Sequence, residues 1–297
     1  MEAVKSYCDC AEEFKNIWRL MRITTPESPS ERPESDLLVP FESQHIPADY
    51  KEYYKIKRNN FFASIQGFPE MWKYYVLLDA IWLREFSDLK PPGHVNQWFP
   101  LILFFNAHAK IRISIELALS GCMAEARSIL RDAIELVAHA HTMLRDPQLQ
   151  TVWLSKNEEE EAFKDAFERH KKEGIFKGLE ELHRTWGQLS ETGSHATLNS
   201  MCDRFTSTRS ADGTTAWQLW YCGVAPRMWA MSLFSMLLTC FTMERTFFSD
   251  YDSRLKLDHV LVNMRGEFET YKEQVREYLT VHYKVEPPVP KSIILMP

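Results

Sequence analysis

Apolar side chains recur at three- and four-residue intervals along most of the chain, and this spacing predicts helices. In residues 2–23, Val4, Tyr7, Cys8, Ala11, Phe14, Ile17, Trp18 and Met21 fall on one stripe. "TTPESPSERPESD", 24–36, is Pro/Ser/Glu-rich and reads as a flexible connection or surface loop. A mixed stretch with Tyr50, Tyr53 and Tyr54 follows. Pro69 is placed to open a helix running to about Leu89, which Pro91-Pro92-Gly93 terminates.

A long apolar helix is expected over 96–119, broken at Gly121, with the next helix over 122–145 ending at Asp146-Pro147. An acidic start and basic end suit a helix over 157–172. Another is expected over 175–192, broken at Gly193, with Ser194 capping a short successor over 195–205. Residues 206–215 read as a loop, 215–248 and 252–283 as two long helices, and the tail as extended. No alternation of period two is long enough for a sheet. The expected fold is all-α: a helical bundle with long antiparallel helices and a central helix hairpin. The chain divides into an N-terminal helix (1–23), a Pro/Ser-rich connection (24–49), the bundle domain (50–283) and the tail (284–297).

Composition narrows the function classes. With 297 residues and 45% hydrophobic content, the chain can bury a substantial core. A net charge of −6 gives no general attraction to phosphate backbones or anionic lipid, leaving nucleic-acid contact to any local basic patch. The six cysteines form no C-x-x-C and no disulfide framework, which suits reduced thiols in a cytoplasm. The charged, amphipathic N-terminus has no signal-peptide core. The most apolar window, 228–243, lies between Arg227 and Glu244 and falls short of the roughly 20 residues of a membrane span.

Candidate chemistry concentrates in the central hairpin. Arg127, Arg131 and Glu135 lie one helical turn apart on a flank of the apolar arc of 122–145; His141 falls inside the arc and His139 points away. In the preceding helix, Leu101, Phe104, Phe105, Ile111, Ile115 and Leu119 form the arc, with His108 and Arg112 inside it and Glu116 on its edge. Folding back about Gly121 sets Glu116 level with Arg127, Arg112 with Arg131, and His108 with Glu135. Buried charge needs a partner, so the pattern predicts a paired, partly buried network. Such a network either fixes helix register alone or lines a pocket. A di-metal site would need repeated Glu-x-x-His, and Glu180/His183 alone has that spacing, so no metal or cofactor is expected. Ser190, Ser194 and His195 gather at the Gly-broken junction 187–201, without the nucleophile elbow of a serine hydrolase.

Residues 117–135, "LALSGCMAEARSILRDAIE", together with 189–199, "LSETGSHATLN", resemble an uncharacterised all-helical bacterial protein family, itself similar to the HEPN superfamily of helical bundles. The resemblance covers about 100–200, and its matching positions are Gly121, Ala126, Arg127, Arg131, Glu135, Ser190 and His195. It implies a helical module from bacterial defence or toxin–antitoxin systems, where some HEPN branches cleave RNA and others only bind partners. The RNase branch carries Arg-x4–6-His, and Arg254…His259 and Arg276…His282 have that spacing, as chance alone would supply. The matched region keeps Arg and Glu where that motif needs Arg and His.

Two functions follow as expectations. One is a non-catalytic module that binds a protein partner or assembles as a homo-oligomer through an apolar helix face. The other is a HEPN-like hydrolase acting on RNA or a nucleotide, with Arg131, Glu135 and His195 as candidate catalytic residues and His108, Arg112, Glu116, Arg127 and Ser190 as candidate binding residues.

Overall fold

The computed structural model describes residues 46–90, 98–169, 171–194, 205–211, 213–219, 226–256 and 258–283. The expected helices over 2–23 and 195–205, the segment 24–45, the tail and His195 lie outside the described residues. Within them the fold is an all-α bundle. Its helices are α1 (Ala48–Gly67), α2 (Pro69–Asp88), α3 (Trp98–Leu119), α4 (Met123–Arg145), α5 (Gln148–Leu154), α6 (Glu160–Phe163), α7 (Glu180–Leu189), α8 (Pro226–Tyr251) and α9 (His259–Tyr283).

The α3–α4 hairpin is the centre of the bundle. Gly121 closes it with φ of 83°, a conformation costly for a residue with a Cβ. The Cys122 N–H reaches the Leu117 carbonyl at 2.8 Å and the Gly121 N–H the Ala118 carbonyl at 3.0 Å, so the last carbonyls of α3 are satisfied in a Schellman turn. Small residues line the seam: Ala107, Ala118, Ala126 and Ala133 are fully buried. The Ser114 hydroxyl donates to the Ala126 carbonyl at 2.7 Å, a cross-hairpin bond that fixes register.

Aromatic side chains fill the space between α2, α3 and α8. Trp82 stacks on His108 and on Phe247 at 5.3 Å each, and Phe86 packs on Phe247 at 4.8 Å. The Trp229 indole donates to the Ala118 carbonyl at 2.7 Å and ties α8 to the hairpin tip. Tyr74 of α2 stacks on Phe268 of α9 at 4.3 Å. Among the described residues, no helix is long and apolar enough to cross a membrane.

Several elements differ from the periodicity. The tyrosine stretch is helical, as α1, and none of its residues is fully buried. Its side chains reach the hairpin tip instead, where Ser64 donates to the Leu119 carbonyl at 2.8 Å. The expected 157–172 helix is broken: α6 gives way to a π-helical turn over Lys164–Glu168 and then to turns. Helix α7 starts at Glu180 rather than 175 and loosens into a π-helical turn over Ser190–Ser194. The expected loop over 206–215 is largely a hairpin, β1 (Phe205–Arg209) pairing antiparallel with β2 (Thr215–Leu219), Phe205 opposite Leu219. Asp212-Gly213 is the turn signal that marks it in the sequence.

One buried cluster joins α2, α8 and α9. Glu85 and Glu244 are both completely inaccessible, and Arg265 bridges them at 2.7 Å to each. The guanidinium also lies 3.8 Å over the Phe248 ring. One guanidinium neutralises one carboxylate, so the second carboxyl keeps its proton. Burial, then the neighbouring Glu244, pushes Glu85 up to about 11. A raised carboxyl contributes stability that is fully present below its unfolded value of 4.5 and is lost as pH rises toward 11. Glu85→Gln, a permanent mimic of the protonated form, is expected to flatten the fall in stability above neutral pH by about 1 kcal/mol per pH unit. Urea unfolding of both proteins from pH 6 to 9 checks this; parallel pH profiles would refute it.

Candidate functional site

The candidate residues separate onto two flanks of the hairpin. On the α2 side, Asp79 receives both polar side chains expected inside the α3 arc. His108 Nε2 lies 2.8 Å from Oδ1, and Arg112 donates to both oxygens at 2.9 Å. Burial raises the Asp79 carboxyl, but the bonds from His108 and Arg112 win and hold it below the ordinary value. The expected His108–Glu135 pair does not form. Arg112 is not inside the apolar arc either: its side chain is 52% exposed, and Phe105 is exposed beside it. Glu116 pairs with Lys57 of α1 at 3.9 Å, not with Arg127, whose guanidinium donates to Ser232 of α8 at 2.8 Å.

The reason is geometric. Folding back about Gly121 fixes which residues are level along the hairpin, and Lys110 does meet Asp132 across it at 3.2 Å. It does not fix which flank each side chain takes. Helix α2 covers one flank of α3 and supplies an anion there, so His108 and Arg112 turn to it.

The other flank brings Arg131, Glu135 and Ser190 together. Arg131 Nε donates to Ser190 Oγ at 2.8 Å, and its Nη1 lies 3.4 Å from Asp132 and 3.9 Å from Glu135. Ser190 Oγ passes a bond back to the Trp186 carbonyl at 2.8 Å, which anchors it where α7 loosens. Glu135 is also bonded by Lys171 Nζ. Arg131 and Lys171 each lie 4.8 Å over the Trp186 ring. Lys171 arrives there because the turns after it are pinned to α4: Thr142 donates to the Ile175 carbonyl at 3.1 Å, and Ile175 and Phe176 are buried. Burial raises the Glu135 carboxyl, but the Lys171 bond and the charges of Lys171 and Arg131 pull it below its ordinary value.

Beside this network lies a pocket of about 330 Å³ lined by Lys110, Asp132, Glu135, Leu136, His139, Trp153, Lys156, Phe163 and Glu168. His139 does not point away, because α5 and the α6 segment cover that face of α4. The Trp153 indole donates to His139 Nδ1 at 3.1 Å. An indole N–H is only a donor, so Nδ1 must carry a lone pair and the ring proton must sit on Nε2. Burial, reinforced by Lys171 and Lys156, pushes His139 down to about 4, so the ring is neutral at physiological pH. Sequence reasoning missed Trp153, Lys156, Phe163 and Lys171: a regular helix is expected over 157–172, whereas Phe163 lies on a four-residue helix and Lys171 in turns.

The other residues singled out lie apart. His141 is buried, as expected, and its Nδ1 meets Asp250 of α8 at 2.8 Å. His183 packs on Phe176 at 5.0 Å. Cys122 and Cys240 are buried and form no disulfide among the described residues, and the other four cysteines lie outside them.

The incomplete burial of Glu135 sets the scale of its contribution: its side chain and that of Lys171 are 22% and 20% exposed. Glu135→Ala is expected to cost about 1–2 kcal/mol, not the larger loss of a fully buried pair. In a double-mutant cycle the coupling should lie with Lys171 and be near zero with His108. Coupling to His108 would contradict the arrangement. Comparison of the chain with known family models, curated proteins and solved structures finds no match.

Proposed function

We propose that the chain is a non-catalytic helical binding module whose recognition site is the pocket on the α4–α5 flank, in keeping with the partner-binding branches of the HEPN resemblance. One observation carries the reading: the pocket's imidazole is not available as a base. The His139 Nδ1 lone pair is engaged by Trp153, and burial holds the ring's proton affinity well below that of an ordinary imidazole. General-base work needs a free lone pair at the reacting proton. The flanking groups support the same reading. Arg131 is engaged by Ser190, Asp132 and Glu135, and Glu135 by Lys171 as well. A pocket with one fixed donor, charged groups at its rim and aromatic walls is built to orient a ligand. A cytoplasmic location is part of this proposal.

Two assays test it. Purified protein is incubated with single-stranded RNA and nucleotides, and protein denatured after purification is searched by mass spectrometry for a released small molecule. The expected outcome is no turnover, and a ligand released by wild type but not by His139→Ala. RNA or nucleotide hydrolysis that Glu135→Gln abolishes at unchanged melting temperature would overturn the proposal in favour of the hydrolase.

A further inference from the structure

The charges around the pocket do not all have partners, and the unmatched ones differ in sign. Lys110 is held by Asp132 at 3.2 Å, and Glu135 by Lys171 and Arg131. Lys156 has its ammonium 4.3 Å over the Phe163 ring and makes no ion pair among the described residues. Glu168, at the end of the π-helical turn, makes none either. His139 adds a neutral donor, Nε2–H, on the same wall. Its neighbour Lys156 is close enough to disfavour the imidazolium. Leu136, Trp153 and Phe163 supply apolar surface.

We propose that this pocket takes a small zwitterion of the α-amino-acid type with an apolar or aromatic side chain. The carboxylate sits on Lys156 Nζ and the His139 Nε2–H. The ammonium sits between Glu168 and the exposed edge of Asp132, whose side chain is 46% exposed. The ligand side chain lies against Trp153, Leu136 and Phe163. The volume fits, since about 330 Å³ is at the lower end of the roughly 300–1,000 Å³ typical of small-molecule sites. A simple anion would leave Glu168 facing it, and a simple cation would meet Lys156 and the imidazole N–H. Only a ligand carrying both charges is complementary to both ends.

The inference rests on the binding reading above, and its test separates the two. Isothermal titration uses L-phenylalanine and L-leucine, N-acetyl-L-phenylalanine, which keeps only the anion, and L-phenylalanine amide, which keeps only the cation. The free amino acids are expected to bind at least tenfold more tightly than either capped form. Lys156→Gln should erase the preference over the amide, and Glu168→Gln the preference over the acetylated form. Both side chains are exposed, so neither change threatens the fold. Capped and free forms binding alike would overturn the zwitterion. No amino-acid binding, with a His139-dependent ligand of other chemistry released on denaturation, would overturn this inference and leave the binding module standing. No binding and no released ligand would overturn both.

Discussion

The close antiparallel contact of α3 and α4 is the constraint on which the rest of the bundle depends. Alanines at the seam leave no side-chain bulk to hold the axes apart, and the Ser114 bond to the Ala126 carbonyl locks one helix against the other. A glycine at positive φ lets the chain reverse within two residues. Dispersion between two long helices at short range makes the hairpin a rigid core element. Its two flanks then become surfaces that other elements must match in shape and charge.

The flanks are matched by different means. On one, Asp79 of α2 gathers His108 and Arg112, and behind it Arg265 reconciles two buried carboxyls from α2 and α8. That second cluster is neutral only if one carboxyl stays protonated, so it specifies helix placement at the cost of alkaline stability. On the other flank the charges are less buried, the covering segments are short, and the backbone departs twice from regular helix into π-helical turns. Such turns widen the helix and re-aim side chains. Here Ser190 is turned onto Arg131, and Phe163 and Glu168 become walls of the pocket.

The helical character of the chain was legible because amphipathic spacing and Gly or Pro breaks agree over α2, α3 and α4 and most of α8 and α9, although the helices expected over 215–248 and 252–283 begin only at Pro226 and His259, after the strand Thr215–Leu219 and a tight 3-10 turn. The hairpin and its axial register were legible from Gly121. The partners of its polar residues were not. Asp79, Lys57, Lys171 and Ser232 come from other helices or from turns, and periodicity within one hairpin carries no information about which flank a neighbour covers. The buried Glu85–Arg265 contact spans 180 positions and leaves no local trace. Helix 157–172 was misjudged because acidic-to-basic charge order favours a helix whether or not tertiary contacts let it form. The turns there are held by Ile175 and Phe176 in the core, a tertiary demand that overrides local preference.

The state of His139 is the point where structure and function meet. Side-chain 15N NMR of histidine-labelled protein, with the His139 signals assigned by their loss in His139→Gln, reads its tautomer and its titration directly. The account predicts a neutral ring protonated on Nε2, with Nδ1 accepting the Trp153 bond, and no titration until the pH falls toward about 4. Substituting Trp153→Phe should release Nδ1 and raise the titration midpoint. An Nδ1-protonated ring, or a midpoint near the ordinary 6.5, would leave His139 free to act as a base and would contradict the reading of this pocket as a binding site.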